Sequence, residues 1–183
     1  SCLVGSEMCI RDRKKILLTE NISIKKINPN NPLDMLLIEE LNQDRTVCGE
    51  YGYLWRYPYL FKSTKQLYHQ RISDSPYIIY YDKYPVGFIE ISDIFCHHNQ
   101  KNVSISYAIH KKARRKGYMQ TALRETSDLL LEQEKNIDGI ILSIDPANIL
   151  SKNVAKKAGF IENKEWSMDY HSGGYKIYQK KRK

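Results

Sequence analysis

The chain has 183 residues, 42% hydrophobic and 27% charged, with a formal net charge of +8. That length suits one domain whose core needs neither disulfide nor metal to fold, and the composition excludes global disorder. No apolar run approaches the ~18 residues of a membrane span, and no apolar stretch near the start reads as a secretory signal, so neither is expected.

Residues 1–13, SCLVGSEMCIRDR, have no helical or strand period. The string resembles the translated read-through of a sequencing-library adapter. It is set aside as a non-native or disordered extension, and the domain is expected over 14–183. Cys2, Cys9, Cys48 and Cys96 show no framework spacing and read as free thiols in a reducing cytoplasm. A rough alternation of isoleucines predicts a strand over 22–27, followed by a turn cluster at 28–32. Leu33, Leu36, Leu37 and Leu41 mark a helical face over 33–41, with Asn31 or Asp34 as its cap. Residues 49–59 are irregular and aromatic, and a second helix is expected over 64–72.

The period then changes. Strands are expected over 77–81 and 86–91, joined by a turn at 82–85. A polar loop over 92–101 leads to a strand over 103–109, and a basic turn over 111–117 leads to the longest helix, 119–134. The apolar run 140–144 reads as a strand buried on both faces. After Pro146 and Asn148 a short helix capped by Ser151 ends at Ala158 and Gly159. A final hairpin is expected from strands 161–170 and 175–178 around a turn at 171–174. Residues 180–183 read as a frayed, solvated tail. The sum is a single mixed α/β domain.

The chemistry concentrates in YAIHKKARRKGYMQTAL, residues 107–123. Between Lys111 and Arg124 stand six basic residues and no acidic one. A helix start offers unpaired N–H groups and the positive end of the dipole. Gly117 lets backbone approach a ligand without a Cβ in between. A phosphate or pyrophosphate is the natural guest, against the plainer alternative of a solvated basic turn.

Two motifs carry a family resemblance. Arg114-Arg-Lys-Gly117-Tyr-Met119 resembles the [Q/R]-x-x-G-x-[G/A] signature of the GNAT N-acetyltransferase superfamily. Gly117-Tyr118 with Ala122-Leu123, and Tyr107 ten residues before Gly117, resemble its ribosomal-protein-alanine acetyltransferase-like branch. Asn148-Ile-Leu-Ser151, followed by Val154 and Gly159-Phe160, is similar to that branch's NxxSxxVxxxxGF. The resemblance covers about 22–178. It implies a mostly antiparallel central sheet flanked by helices, and transfer of an acetyl group from acetyl-coenzyme A to a primary amine without a covalent enzyme intermediate. The acceptor would be a protein N-terminus or a small amine, and the chain a monomer or homodimer.

By resemblance, the amides of Arg115, Lys116, Gly117, Tyr118 and Met119, with Gln120, hold the coenzyme pyrophosphate, and Arg114 fills the [Q/R] slot. The strand at Tyr107, Ala108 and Ile109 pairs with the pantetheine arm. Asn148 and Ser151 fall at the second coenzyme-contacting and helix-capping positions. Two residues depart from the pattern: Met119 stands where Gly or Ala is usual, and Ala155 where many relatives carry a tyrosine acid.

Glu90, on the strand before the coenzyme strand, is the base candidate by position; its other reading is a solvent-facing carboxylate. Tyr53, Trp55 and Tyr57 form either walls of an acceptor pocket or core beneath the loop. No metal is expected: adjacent His97 and His98 rarely converge on one ion, and no distant ligand pair is visible. Two alternatives stay open, a basic nucleic-acid-binding module and a degenerate coenzyme A-binding relative. The first lacks any helix-turn-helix, zinc or RNP pattern, so nucleic acid is not an expected partner.

Overall fold

Short turns and alternating apolar residues set the order of strands in this chain. The structure, a computed structural model, describes residues 13–44, 46, 77–169 and 174–182. The aromatic run 49–59 and the helix expected over 64–72 lie outside the described residues.

Strands β1 (Lys15–Leu17) and β2 (Ile22–Lys26) open the fold, and α1 (Pro32–Gln43) follows. Asn31 caps α1 by accepting a hydrogen bond from the Leu33 amide, with Pro32 next to it, where a missing N–H costs nothing. Then come β3 (Tyr77–Tyr81), β4 (Tyr84–Ile91), β5 (Phe95–His97) and β6 (Gln100–Ile109). A 3₁₀ turn, Lys111–Ala113, precedes α2 (Tyr118–Gln133). The remaining elements are β7 (Gly139–Ile144), α3 (Ile149–Lys157), β8 (Ile161–Glu162), α4 (Lys164–Met168) and β9 (Lys176–Lys181).

The nine strands make one sheet in the order β1-β2-β3-β4-β6-β7-β9-β8, with β5 paired to β6. Every pairing is antiparallel except β6 with β7. One face carries α2 and α3 over a core that includes Ile24, Ile89, Val103, Leu123, Leu130 and Leu142. On the other face, Leu37, Ile38 and Leu41 of α1 pack on Ile78, Tyr80, Phe88 and Ala108. Trp166 of α4 covers Ile141 and Ile177. Neighbours in sequence on β7 thus serve opposite faces, as the two-residue period of a strand requires. The Tyr80 hydroxyl donates to buried Asp34, which ties α1 to β3.

The turn between β3 and β4 is tighter than expected. Only Asp82 and Lys83 form it, with Asp82 at φ +52°, and Tyr84 and Pro85 already belong to β4. A register shift between Ile79 and Tyr80 falls beside Pro85, which has no N–H to give the ladder. At Gly87 an added Cβ would lie 2.4 Å from the Ala108 carbonyl oxygen, so the approach of β4 to β6 admits only glycine.

Four further expectations need correction. The loop expected over 92–101 contains β5 and a two-residue turn into β6. The strand expected over 161–170 is β8 followed by α4, capped by the Asn163 side chain. The helix after β7 is capped by Asn148, which accepts from the Ser151 amide at 3.0 Å; Ser151 lies inside it. The expected frayed tail is anchored through residue 182. Lys180 Nζ donates to Ser127 Oγ and to the Ala158 carbonyl and pairs with Asp128 at 2.8 Å, and Arg182 donates to the Leu131 and Glu134 carbonyls. Lysine side chains that find carbonyls at a helix C-terminus are held there by both hydrogen bonding and the dipole.

Candidate functional site

The site begins where the sheet opens. β6 and β7 pair only at Asn102–Gly139, Val103–Ile140 and Ser104–Ile141. Beyond Ser104, β6 stays on β4, from Ile105 opposite Ile91 to Ile109 opposite Gly87, while β7 goes to β9. No described strand pairs with residues 105–109 on the β7 side. A half-exposed row of strand amides and carbonyls is a ready partner for an extended, amide-bearing ligand.

At the end of β6 the chain turns through the 3₁₀ segment into α2. Arg115 lies at φ +62° and Gly117 at φ +78°, and Gly117 is the N-cap of the helix. Alternation into the left-handed region points successive amides toward one space, the geometry of an anion nest. None of the backbone N–H groups over 115–120 has an acceptor among the described residues; the first helical bond is from Thr121 to the Gly117 carbonyl. A Cβ built on Gly117 meets nothing within 4 Å. Lys111, Lys112, Arg115 and Lys116 are exposed around this turn, and none makes an ion pair with a described residue. Unpaired amides, a helix dipole and four cations fit a diphosphate.

Met119 fits the same arrangement. Its side chain is 5% exposed in the core while its amide remains at the helix start. Arg114 takes a different course. Its Nη2 pairs with Asp44 Oδ2 at 2.6 Å and its Nε reaches the Ile109 carbonyl, so the guanidinium braces the turn against the end of α1. The Asp44 carboxyl is held below its ordinary range by the Thr46 hydroxyl, with Arg114 adding to the effect. Neither Asp44 nor Tyr81 was legible in sequence as a neighbour of this turn. Tyr81, at the end of β3, stacks on Tyr118 with centroids 4.4 Å apart.

The two sequence motifs meet across the opening. Tyr107 Oη lies 2.7 Å from Ser151 Oγ and also donates to the Ser151 carbonyl at 3.3 Å. Burial pushes the Tyr107 phenol up to about 12, against the opposing effect of Ser151. A raised folded-state value means that the folded chain holds this proton more tightly. Its contribution is complete below pH 10 and is lost as the pH rises through about 12. Tyr107→Phe should therefore remove part of the stability loss between pH 10 and 12, read as the shift in urea midpoint with pH. Identical slopes for the two chains would mean that the hydroxyl is not buried.

Glu90 stands opposite Ser106 in the ladder. It shares the α1 face with Phe88, two residues away, whereas Tyr107 lies on the α2 face. The opening is flanked by a carboxylate on one side and a tyrosine–serine pair on the other. Ala155 is fully buried in α3 and contributes packing alone. Tyr53, Trp55 and Tyr57 lie outside the described residues. His97 and His98 stand at the other end of β6, on the β5 hairpin. Their rings meet edge to face, 4.4 Å apart.

A mixed sheet that opens beside a strand–turn–helix run of unpaired amides is an α/β fold with a place for an extended, anionic ligand. Residues 27–161 match the Acetyltransferase (GNAT) domain family, and the chain belongs to it. No curated protein matches the chain by sequence. Solved structures of like fold include a GNAT-family acetyltransferase from Bacillus anthracis, at 21% identity and TM-score 0.64, covering 87% of this chain and 93% of that one. The ribosomal-protein-S5-alanine acetyltransferase from Vibrio fischeri aligns at 18% identity and TM-score 0.64, over 89% and 94%. RimL, a ribosomal L7/L12 alpha-N-protein acetyltransferase in complex with coenzyme A, aligns at 14% identity and TM-score 0.67, over 92% and 98%. These likenesses show the shared fold. Among the described residues no helix is long and apolar enough to cross a membrane.

Proposed function

We propose that this chain transfers the acetyl group of acetyl-coenzyme A directly to a primary amine. The observation that carries the reading is the run of unpaired amides over 115–120 at the end of a strand whose outer edge is open. Bound acetyl-coenzyme A supplies the activated acyl group. The amides of Arg115, Lys116, Gly117, Tyr118, Met119 and Gln120 hold its diphosphate, aided by the exposed lysines and Arg115. The backbone of Tyr107, Ala108 and Ile109 pairs with its amide-bearing arm, and Asn148 and Ser151 border the far side. Glu90 takes the proton that the ammonium form of the acceptor must lose before attack. Positioning two substrates in one opening replaces a bimolecular encounter, so no covalent enzyme intermediate is needed.

The solved structures of like fold include ribosomal-protein acetyltransferases, and on that ground we place a protein N-terminal amine first among acceptors. The test is a transfer assay with radiolabelled acetyl-coenzyme A against peptides with free N-termini, polyamines and aminoglycosides. Label should pass to the peptide class. Transfer confined to small amines would replace the acceptor but keep the reaction. Coenzyme binding without transfer to any amine would leave the degenerate-relative reading.

A further inference from the structure

We propose that His97, His98 and Asp169 form a binding site for one divalent transition ion of the zinc type, away from the anion nest. β6 separates the two places: its first residues adjoin the hairpin and its last adjoin the nest, about 30 Å along a ten-residue strand.

The site is built from two elements far apart in sequence. β5 and β6 are joined by His98 and Asn99 alone, since His97 already pairs with Gln100. Both loop residues have positive φ, +48° and +58°, the signature of a type I′ hairpin turn. In an extended strand, adjacent side chains point to opposite faces. The left-handed step at His98 cancels that divergence and brings the His98 ring back over the strand. The rings of His97 and His98 meet edge to face at 4.4 Å.

Asp169 arrives from α4, 71 residues later. Asn163 caps this helix through the Trp166 amide, and the Asp169 amide closes its other end on the Trp166 carbonyl. Ser167 Oγ donates to the Asn163 carbonyl and accepts from the Ile177 amide, which fixes α4 to β9. Trp166, 4% exposed, lies beneath both imidazoles, edge to face with His97 and stacked on His98 at 13°. The carboxylate therefore reaches the histidines from a short helix that is tied at both ends.

One ligand atom from each of the three residues lies within 4.8 Å of the others. His98 Nε2 and Asp169 Oδ2 are 2.9 Å apart. Around a tetrahedral zinc with bonds near 2.0–2.1 Å, ligand atoms stand about 3.3 Å apart. The closest pair must open by about 0.4 Å and the widest close by at most about 1.5 Å, which side-chain rotation supplies. Two imidazoles and one carboxylate exclude magnesium and calcium as the preferred guests, because those ions take oxygen. A fourth position stays open to water. The ion would brace the hairpin against α4 and exchange the His98–Asp169 contact for three metal bonds.

The experiment uses the untagged full chain, stripped with a chelator and titrated with ZnCl₂ by calorimetry. One equivalent should bind at micromolar concentration or tighter. His97→Gln, His98→Gln and Asp169→Asn should each weaken binding at least tenfold, and His110→Asn should leave it within twofold. Titration with CuCl₂ should quench tryptophan emission stoichiometrically, and Trp166→Phe should remove that quench while retaining Zn²⁺ binding. Circular dichroism of each variant confirms that it is folded. Absence of saturable Zn²⁺ binding, its retention in the His97→Gln/His98→Gln double variant, or its loss in Cys96→Ser would overturn the assignment. The first outcome would leave the His98–Asp169 pair, with His98 stacked on Trp166, as a structural contact between the hairpin and α4. None of these readouts depends on acetyl transfer.

Discussion

Replacing Gly117 with aspartate is expected to weaken acetyl-coenzyme A binding by about 10²-fold while the fold stands. The residue sits at φ +78°, a conformation that Asp tolerates better than most L residues, and its Cβ would enter open space. The cost to the free chain is accordingly small. A carboxylate about 5 Å from a phosphate, at an effective dielectric near 20, opposes binding by about 3 kcal/mol, or ~10²-fold. In thermal shift, acetyl-coenzyme A at ~100 times its dissociation constant adds ~2.7 kcal/mol to the native state and raises the melting temperature by several degrees. Gly117→Asp should melt near the wild type without ligand and show less than about a fifth of the rise with it, since ~10²-fold weaker binding leaves only ~0.4 kcal/mol. An equal rise in both chains would remove the diphosphate from this turn.

Glu90→Gln should lower kcat/KM by at least 10²-fold near neutral pH, the lower end of what a positioned base contributes. Coenzyme binding should be unchanged, because Glu90 lies on the α1 face and the nest is on the other side of β6. The deficit should shrink as the pH rises and the acceptor amine loses its proton unaided. A loss below threefold at every pH, in a folded variant, would transfer the role to Asp93 or to positioning without a base.

Local pattern made much of this fold legible. The β-branched runs of β3 and β7 and the apolar stripe of α2 through Ala122, Leu123 and Leu130 are signals carried by a few consecutive residues. So is the anion nest, because a glycine, a basic run and a helix start are adjacent in the chain. What stayed hidden depends on contacts made at long range. β5 is three residues, FCH, two of them exposed, with no alternation to read. α4 is five residues within a stretch that looked like a strand, and it is fixed on β9 by Ser167, which accepts from the Ile177 amide. Arg114 looked like a ligand for phosphate because its partner, Asp44, lies 70 residues earlier. Lys180 looked solvated because its acceptors belong to α2 and to the end of α3.

The opening of the sheet has a consequence for how the chain comes apart. Among the described residues β6 pairs with both the ladder β1-β2-β3-β4 and the ladder β7-β9-β8, and three residue pairs make up its pairing with β7. Buried Asn102 reinforces it, accepting from the Gln179 side chain of β9. Local opening proceeds in contiguous cooperative units. The two ladders share one hydrophobic core beneath α2 and α3, and the Tyr107–Ser151 bridge adds a polar tie across the opening. Damage at Asn102, Val103 or Ser104 falls on the residues where β6 joins β7.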